Sequence, residues 1–177
     1  MSERVAVRRV RVSESARVRS IRLEALSDPA AGIAFLETRE QAESQPDEFW
    51  RERTAGVAFG ESAAQFVAEA GRDWVGTLTV LIPEPGGVDY FGRPTVAGRA
   101  LVVSVYVRPS HRSRGVLDAL MDAAAEWARE RGDSELVLDV HGDNARAQRA
   151  YTRLGFTATG RTSDGPNGTE REMVRGL

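Results

Sequence analysis

The segment LVVSVYVRPSHRSRGVL (residues 101–117) carries the strongest signal in the chain. Its first seven residues are mostly β-branched or aromatic and predict a strand, which ends before Pro109 because proline cannot donate to a sheet ladder. A short loop follows, and from Gly115 onward the apolar spacing predicts a helix of about 16 residues. The chain is therefore expected to pass from a buried strand through a glycine-containing loop into a helix.

This loop has the properties of an anion-binding site. The first N–H groups of a helix have no partner within the helix, and the helix dipole places about half a positive charge there. Gly115 lacks a Cβ that would keep an anion from the backbone, and Arg112 and Arg114 can add charge-assisted hydrogen bonds to a phosphate. An ordinary helix start with solvent-exposed arginines explains the same residues, because short glycine patterns are common by chance.

A second informative segment is NARAQRAYTRLGF (residues 144–156), which predicts a helix from Asn144 that ends at Gly155. Asn144 and Tyr151 are seven residues apart, so they share one face of this helix and are separated by about 10 Å of rise. Asn144 can cap the helix or bind a ligand amide. Tyr151 can pack in the core or present its hydroxyl to a leaving group. For each residue alone, the structural role is a sufficient explanation.

The remaining chain alternates between predicted strands and helices. Strands follow from apolar–polar alternation, and helices follow from apolar spacing and from start signals at Ser13 and Pro46. The predicted strands cover residues 5–12, 65–70, 74–82, 99–107, 135–141, 156–160 and 170–175, and the predicted helices cover 13–26, parts of 30–60, 115–130 and 144–154. The order β α α β β β α β α β β predicts a single α/β domain over residues 1–177, with a mixed central sheet flanked by helices.

The composition narrows the class of protein. In 177 residues, 41% hydrophobic and 28% charged residues are typical of one globular domain. A formal net charge of −2 gives no overall attraction to nucleic acid or to an anionic membrane. The sequence has no cysteine, and His111 and His141 are too few for a convincing metal cluster, so we expect no metal. We also expect a cytoplasmic protein, because the sequence contains neither a signal-peptide pattern nor an apolar run of about 18 residues.

Together, the two segments resemble the signatures of the GCN5-related N-acetyltransferase (GNAT) family. The first is similar to the acetyl-CoA signature V-x-P-x-x-[RQ]-x-x-G-x-[GA], which is matched by Val107, Pro109, Arg112 and Gly115. The second is similar to the element N-x-x-A-x-x-x-Y-x-x-x-G-F, which is matched throughout by Asn144, Ala147, Tyr151, Gly155 and Phe156. Leu117 departs from the final [GA] of the first signature, and Ser113 stands where many members have glycine.

The resemblance implies the GNAT fold and transfer of an acetyl group from acetyl-CoA to a primary amine by direct attack in a ternary complex. The strand backbone at Val105, Tyr106 and Val107 would pair with the pantetheine arm where two strands separate, and one of its N–H groups would polarise the thioester carbonyl. Asn144 and Ala147 would contact the arm. The diphosphate would bind the loop and first helical turn, at Arg112, Ser113, Arg114, Gly115, Val116, Leu117 and Asp118. Leu117 would either crowd the diphosphate or turn inward.

Catalysis also requires groups that move protons. By resemblance, Tyr151 would be the general acid that protonates the leaving thiolate. The acceptor must lose a proton, because an alkylammonium has no lone pair, and Glu69, Asp139 and His141 are the candidate bases. Asp139 and His141 share one strand face by alternation. His141 has a suitable ordinary pKa, although a surface histidine at a strand end is the better explanation, and a water chain without a dedicated base is an equal alternative.

The acceptor is the least specified part of the prediction. By family analogy it binds near residues 26–50 and 83–98. Acidic residues there either attract a cationic amine or form a solvated surface, and they are Glu37, Glu40, Glu43 and Asp89. A small-molecule amine is the favoured acceptor. The alternatives are a protein N terminus or lysine side chain, or a non-catalytic acyl-CoA-binding module, and a homodimer is expected by analogy alone.

Overall fold

A seven-stranded sheet forms the centre of the protein in the computed structural model, which describes residues 5–177. The strands are β1 (Val5–Arg9), β2 (Ala63–Ala70), β3 (Asp73–Leu81), β4 (Arg99–Val107), β5 (Glu135–His141), β6 (Thr157–Gly165) and β7 (Gly168–Gly176). They lie in the order β1-β2-β3-β4-β5-β7-β6, and neighbours are antiparallel except for the parallel pair β4–β5. The predicted mixed sheet is confirmed.

Helices cover both faces of this sheet. In residues 5–177 they are, in chain order, α1 (Ser15–Leu26), α2 (Ala31–Ala34), α3 (Arg39–Glu43), α4 (Asp47–Phe59), α5 (Val116–Glu130) and α6 (Ala145–Arg153). The first four connect β1 to β2, and α5 is the crossover that parallel strands such as β4 and β5 require. None of the helices in this part of the chain combines the length and apolar character needed to cross a bilayer.

The amphipathic helix α5 is anchored on one face of the sheet. Leu120, Met121 and Ala124 on its apolar stripe are completely buried among strand residues. Complete burial of a large apolar side chain contributes about 1.5–3 kcal/mol. At Gly76 in β3 a Cβ atom would lie 3.0 Å from the side chain of Val116, so glycine permits this close approach. The packing fixes the start of α5, and with it the preceding loop, beside the end of β4.

A second core lies on the opposite face of the sheet. It is formed by α1 and α4, whose buried residues include Ile21 and Trp50, and by sheet residues such as Val67 and Trp74. Phe35, which follows α2, belongs to the same cluster. This core therefore holds the segment between α1 and α3 next to the place where β4 and β5 separate.

The structure corrects the prediction at the first strand. The strand ends at Arg9 instead of Val12, and Val12–Glu14 form a short 3-10 turn before α1. Ser13 does not cap α1, which begins at Ser15. The reason is that the Glu14 carboxylate accepts hydrogen bonds from the Arg11 N–H at 2.8 Å and from the Arg8 guanidinium at 2.7 Å, which stabilises the turn.

The last hairpin also differs from the prediction. The expected turn over residues 163–168 is reduced to Pro166 and Asn167, because β6 and β7 continue pairing up to Gly165 and Gly168. Both strands are therefore longer than predicted. The tip of this hairpin reaches the segment after α2, where the Asn167 amide donates to the Phe35 carbonyl at 3.1 Å.

Candidate active site

The candidate site forms where β4 and β5 separate. These parallel strands pair only between Arg99–Leu101 and Glu135–Val137. Beyond this point, β4 continues to Val107 and β5 to His141 without pairing with each other. The backbone groups on this side of β4 therefore lack a sheet partner in the described part of the chain. This is the separation that the family resemblance implies for the pantetheine arm.

A β-bulge in β4 coincides with the separation. Thr79 of β3 pairs with Val103, but Thr77 pairs with Tyr106, so β4 contains one extra residue between these pairs. Ser104 in the bulge has φ 55°, a left-handed conformation that costs a non-glycine residue about 1–3 kcal/mol. Bulges bend the strand that contains them. The bulge thus changes the direction of β4 close to the point where it leaves β5.

A cavity of about 400 Å³ occupies this opening. Its walls are the ends of β4 and β5, the loop before α5, helix α6 and the segment from Asp28 to Phe35. Polar groups of α6 with its N-cap residue and of the neighbouring strand β7 meet there, namely Asn144 and Tyr151 from the helix and Glu170 from β7. The structure therefore brings the two sequence signatures together at one cavity.

The loop before α5 offers a row of backbone donors. In residues 5–177, the N–H groups from Ser113 to Asp118 donate no hydrogen bond within the protein. Ser113 and Gly115 have φ 59° and 79°, and such left-handed residues turn successive N–H groups into an anion-binding concavity. Around Gly115 no atom lies within 4 Å of the position that a Cβ would take. The loop thus fits the predicted diphosphate by both charge and open space.

The two loop arginines have different surroundings. Arg112 donates to the Val107 carbonyl at 2.9 Å and to the Asp28 carboxylate at 2.5 Å. Because Asp28 neutralises its charge, Arg112 braces the loop against the segment after α1, and this differs from the phosphate contact expected from the sequence. Arg114 is exposed beside the free N–H groups, where it can still approach a phosphate.

Asn144 has the first of the two roles that the sequence left open, the helix cap. Its side-chain oxygen accepts the Ala147 N–H at 3.2 Å, which caps α6. The amide NH₂ group donates no hydrogen bond within residues 5–177, and the cavity lining includes both Asn144 and Ala147. The cap therefore fixes the orientation of a side chain that keeps free donors at the cavity.

Tyr151 lies at the cavity with its ring held by Phe156, at 5.9 Å between ring centroids in an edge-on arrangement. The residue is 9% exposed, and within the described residues its hydroxyl has no hydrogen-bond partner. Burial raises the pKa of the Tyr151 phenol to about 12. The hydroxyl therefore remains protonated at physiological pH, as a proton donor must.

Glu69 and Asp139, two of the candidate bases, are engaged in ion pairs. Glu69 lies outside the cavity, and its hydrogen bonds with Arg8, the shortest at 2.6 Å, lower its pKa. Asp139 lines the cavity, but it accepts hydrogen bonds from Arg93 at 2.7 and 2.9 Å and from the Tyr90 hydroxyl at 2.8 Å. The lone pairs of both carboxylates are thus occupied by donors within the protein, so these contacts do not favour either residue in that role.

His141, the third candidate, is buried rather than at the surface. Its Nδ1 atom accepts the Asp143 N–H at 3.1 Å, so Nε2 carries the proton and donates to the Asn167 carbonyl at 2.9 Å. A Cβ at Gly168 would lie 2.5 Å from Nε2, so the ring packs directly on the hairpin backbone. With both nitrogens engaged, His141 has no free lone pair for a substrate proton and instead holds the hairpin in place.

Residues 24–156 match the model of the Acetyltransferase (GNAT) family. The chain belongs to this family. The match runs from α1 to the residue before β6 and includes both signatures. The family prediction made from those signatures is therefore confirmed.

Relatives of this GNAT chain include antibiotic acetyltransferases. Streptothricin acetyltransferase from Streptomyces lavendulae is 42% identical over 79 residues, which cover 45% of this chain and 42% of that protein. Aminoglycoside N(6')-acetyltransferase type 1 from Stenotrophomonas maltophilia is 27% identical over 133 residues, which cover 75% and 84% of the two chains. The present chain thus spans less than half of its streptothricin relative.

The fold is shared with solved GNAT structures. The PaiA N-acetyltransferase from Thermoplasma acidophilum, in complex with coenzyme A, has a TM-score of 0.74 to this chain at 17% identity. The alignment covers 98% of this chain and 99% of the other. The likeness extends over the full set of strands and helices, so the predicted fold is confirmed beyond the two signatures.

Leu117, the departure from the GNAT signature, both contacts the core and lines the cavity. Its half-buried side chain packs against the core cluster of α5, while its N–H remains among the free donors.

We expect Leu117→Ala to lower the free energy of unfolding by about 1–2 kcal/mol, less than for a fully buried leucine. The dissociation constant for acetyl-CoA should change less than about threefold. Denaturant titration and calorimetry measure the two quantities, and an affinity gain above about tenfold would show instead that the side chain crowds the ligand.

Glu170 is a site residue that the sequence does not single out. It lies in β7 opposite His141 of β5, it is 8% exposed, and it lines the cavity. Alternation places Glu170 and Glu172 on one face of the strand, and this is a weak signal for buried acids. The signal becomes specific only when the pairing of β7 with β5 is known, because that pairing brings Glu170 to the cavity.

The predicted acceptor region meets the cavity only in part. The segment from Asp28 to Phe35 forms one wall, whereas residues 83–98 contact Asp139 from outside. Three of the four acidic residues proposed to attract an amine are in ion pairs, namely Glu37 with Arg22, Glu43 with Arg39 and Asp89 with Arg93, while Glu40 is exposed. Their charge is therefore largely neutralised within the protein.

Proposed function

We propose that this chain transfers the acetyl group of acetyl-CoA to a primary amine of a small molecule in a ternary complex. The observation that carries the proposal is one cavity that joins three features: the free N–H groups before α5, the unpaired edge of β4, and the Tyr151 hydroxyl. Each matches a different part of acetyl-CoA, in the order diphosphate, pantetheine arm and sulfur. Family membership supports the same assignment.

The geometry supports a role for each of these residues. The N–H groups from Ser113 to Asp118 bind the diphosphate, and the backbone groups of Val105 to Val107 on the side of β4 that faces β5, where pairing has ended, bind the amides of the arm. The NH₂ group of Asn144 donates to a carbonyl of the arm. Tyr151 donates its proton to sulfur as the C–S bond breaks, and an N–H of β4 stabilises negative charge on the carbonyl oxygen.

A small acceptor fits the enclosure of the site. The segment from Asp28 to Phe35, which Asn167 of the hairpin tip holds at Phe35, forms one wall of the cavity, and this favours a compact amine over a folded protein surface. The names of two relatives, which act on streptothricin and on aminoglycosides, suggest where a substrate search should begin. Both relatives are named for antibiotics, so this chemistry is the first to test.

The experiment is a thiol-release assay with acetyl-CoA and a panel of amines. The panel contains streptothricin, aminoglycosides, a polyamine, free amino acids, and peptides with either a free N terminus or a lysine. We expect turnover with a small-molecule amine and not with peptides. Preferential turnover of peptides would establish the alternative of a protein acetyltransferase. Binding of acetyl-CoA by calorimetry without turnover of any amine would establish a non-catalytic acyl-CoA-binding module and overturn the proposal.

A further inference from the structure

We propose that Glu170 is the general base that removes a proton from the acceptor amine. The inference rests on the acetyltransferase function proposed above, and it names a residue for a step that the sequence left open among Glu69, Asp139, His141 and water. Glu170 lies on β7, a strand that follows both sequence signatures.

Glu170 is a buried carboxylate without a counter-charge. It is 8% exposed, and among residues 5–177 no side chain or N–H group donates a hydrogen bond to it. Such burial is costly for a charged group, and it raises the pKa of Glu170 above its ordinary value. Since the side chain lines the cavity, a substrate ammonium would be the cation that relieves this cost.

Two other carboxylates and one histidine that line the cavity are already engaged. Asp28 is bound by Arg112, Asp139 by Arg93 and Tyr90, and both nitrogens of His141 are used by the backbone. Asp118 is exposed in the first turn of α5, on the side of the predicted diphosphate. Glu170 is therefore the carboxylate of this cavity that combines burial with a free lone pair.

The charged groups that face Glu170 come from every element around it. Burial is the largest influence on the pKa of Glu170, and from β5 a protonated His141 lowers this pKa while Asp139 raises it. Along β7, Glu172 is paired with Arg99 and Arg93. On β6 the facing residue is the neutral Ser163, and the Asp28 carboxylate on the opposite wall is neutralised by Arg112. The raised pKa therefore results from burial more than from a single neighbour.

The proton balance assigns a separate task to Glu170 and to Tyr151. Glu170 takes one proton from the substrate ammonium, which frees the nitrogen lone pair, and passes that proton to solvent. The nitrogen then forms a bond to the carbonyl carbon, the C–S bond breaks, and sulfur gains the proton of Tyr151. The second proton of the nitrogen restores the Tyr151 phenol. The products are an amide, a thiol and one proton in solution.

The test compares the pH dependence of kcat/KM for wild type and Glu170→Gln, with the panel amine that wild type acetylates fastest. At pH 7 we expect the variant to be about 10²- to 10⁴-fold slower, because only the small free-amine fraction reacts without a base. The ratio of the wild-type kcat/KM to that of the variant should fall by about tenfold per pH unit as pH rises toward the amine pKa near 10. Wild type should lose activity in acid as Glu170 becomes protonated.

Three further measurements separate a base from a structural residue or an electrostatic anchor. Glu170→Asp keeps a carboxylate. Relative to Glu170→Gln, it should restore part of the rate and also the loss of activity at acidic pH. Glu172→Gln removes an ion-paired carboxylate from the same strand face, so it should lower the melting temperature but keep the wild-type pH profile. Glu170→Gln should not melt below wild type at pH 7. The reason is that a raised folded-state pKa means the ionised side chain costs stability above that pKa, and glutamine removes this cost.

The outcomes distinguish the two levels of the proposal. An active wild type whose Glu170→Gln variant keeps both rate and pH profile would overturn the assignment of Glu170 alone. The assignment also falls if the loss of kcat/KM in Glu170→Gln does not diminish at high pH. That pattern would indicate that Glu170 binds the ammonium group of the substrate without removing its proton. A wild type that binds acetyl-CoA but acetylates none of the amines overturns the proposed function, and the base assignment falls with it.

Discussion

Tyr151→Phe is expected to lower kcat by about 10- to 1000-fold while leaving the affinity for acetyl-CoA nearly unchanged. The substitution removes only the hydroxyl, which has no partner in the described residues. A CoA thiol resembles a cysteine thiol with a pKa of about 8.5, so the thiolate can leave without help, but more slowly. The expected loss is therefore large without being complete.

The measurement is a single-turnover experiment, which isolates the chemical step from product release. Fold integrity provides an internal control: since the hydroxyl faces the cavity and neither accepts nor donates a hydrogen bond within residues 5–177, phenylalanine should not lower the melting temperature. The pH profile adds a second check. The donor is the protonated phenol, which is lost as pH rises through its pKa of about 12, so wild type should show no alkaline loss from Tyr151 at pH 10. An ordinary tyrosine would be half ionised there.

Two results would contradict the role of Tyr151. The first is an unchanged single-turnover rate in Tyr151→Phe, which would leave protonation of sulfur to water. The second is an equal loss of acetyl-CoA affinity and rate, which would make Tyr151 a binding residue.

The donor side of the site was predictable from sequence because it depends on local backbone geometry. A strand, a loop with left-handed residues at Ser113 and Gly115, and a helix start produce free N–H groups within a few residues of chain. Asn144 and Tyr151 likewise share a helix face because of their spacing alone. Such features do not depend on contacts between distant residues. Two short segments of sequence are therefore sufficient to predict the donor side of the site.

The remaining features depend on contacts between distant parts of the chain. The sequence predicts Arg112 as a phosphate ligand, but Asp28, 84 residues earlier, neutralises it. The sequence favours a surface position for His141 at the end of its strand, but the hairpin around Asn167 covers it. Glu170 became a site residue only through the pairing of β7 with β5. In each case burial and charge pairing, which periodicity does not encode, decide the role of the side chain.

The helical segment between β1 and β2 illustrates the same limit for the fold. Its apolar spacing is weak, and the structure divides residues 30–60 into three helices. The short helix α2 is held by tertiary contacts, such as the burial of Phe35 and the hydrogen bond from Asn167 to the Phe35 carbonyl. Four-residue helices are not stable alone, so their position follows from packing and not from propensity.

Gly115→Val is expected to raise the dissociation constant for acetyl-CoA by about 10- to 100-fold. Gly115 has φ 79°, and a β-branched residue held there costs about 1–3 kcal/mol. Valine can avoid this cost only if φ changes, which turns the N–H groups of the loop away from a common point. The space around Gly115 is open, so a steric clash within the protein cannot explain the loss.

Gly132→Val is the matched control for this prediction. Gly132 follows the other end of α5, has φ 86°, and also has no atom within 4 Å of a Cβ position. The same substitution therefore imposes a similar backbone cost far from the free N–H groups. Both variants should lose comparable unfolding free energy in denaturant titrations, but only Gly115→Val should weaken acetyl-CoA binding in calorimetry. If the two variants bind acetyl-CoA equally well, the left-handed turn at Gly115 does not organise the diphosphate site, because strain alone would then account for every effect of the substitution.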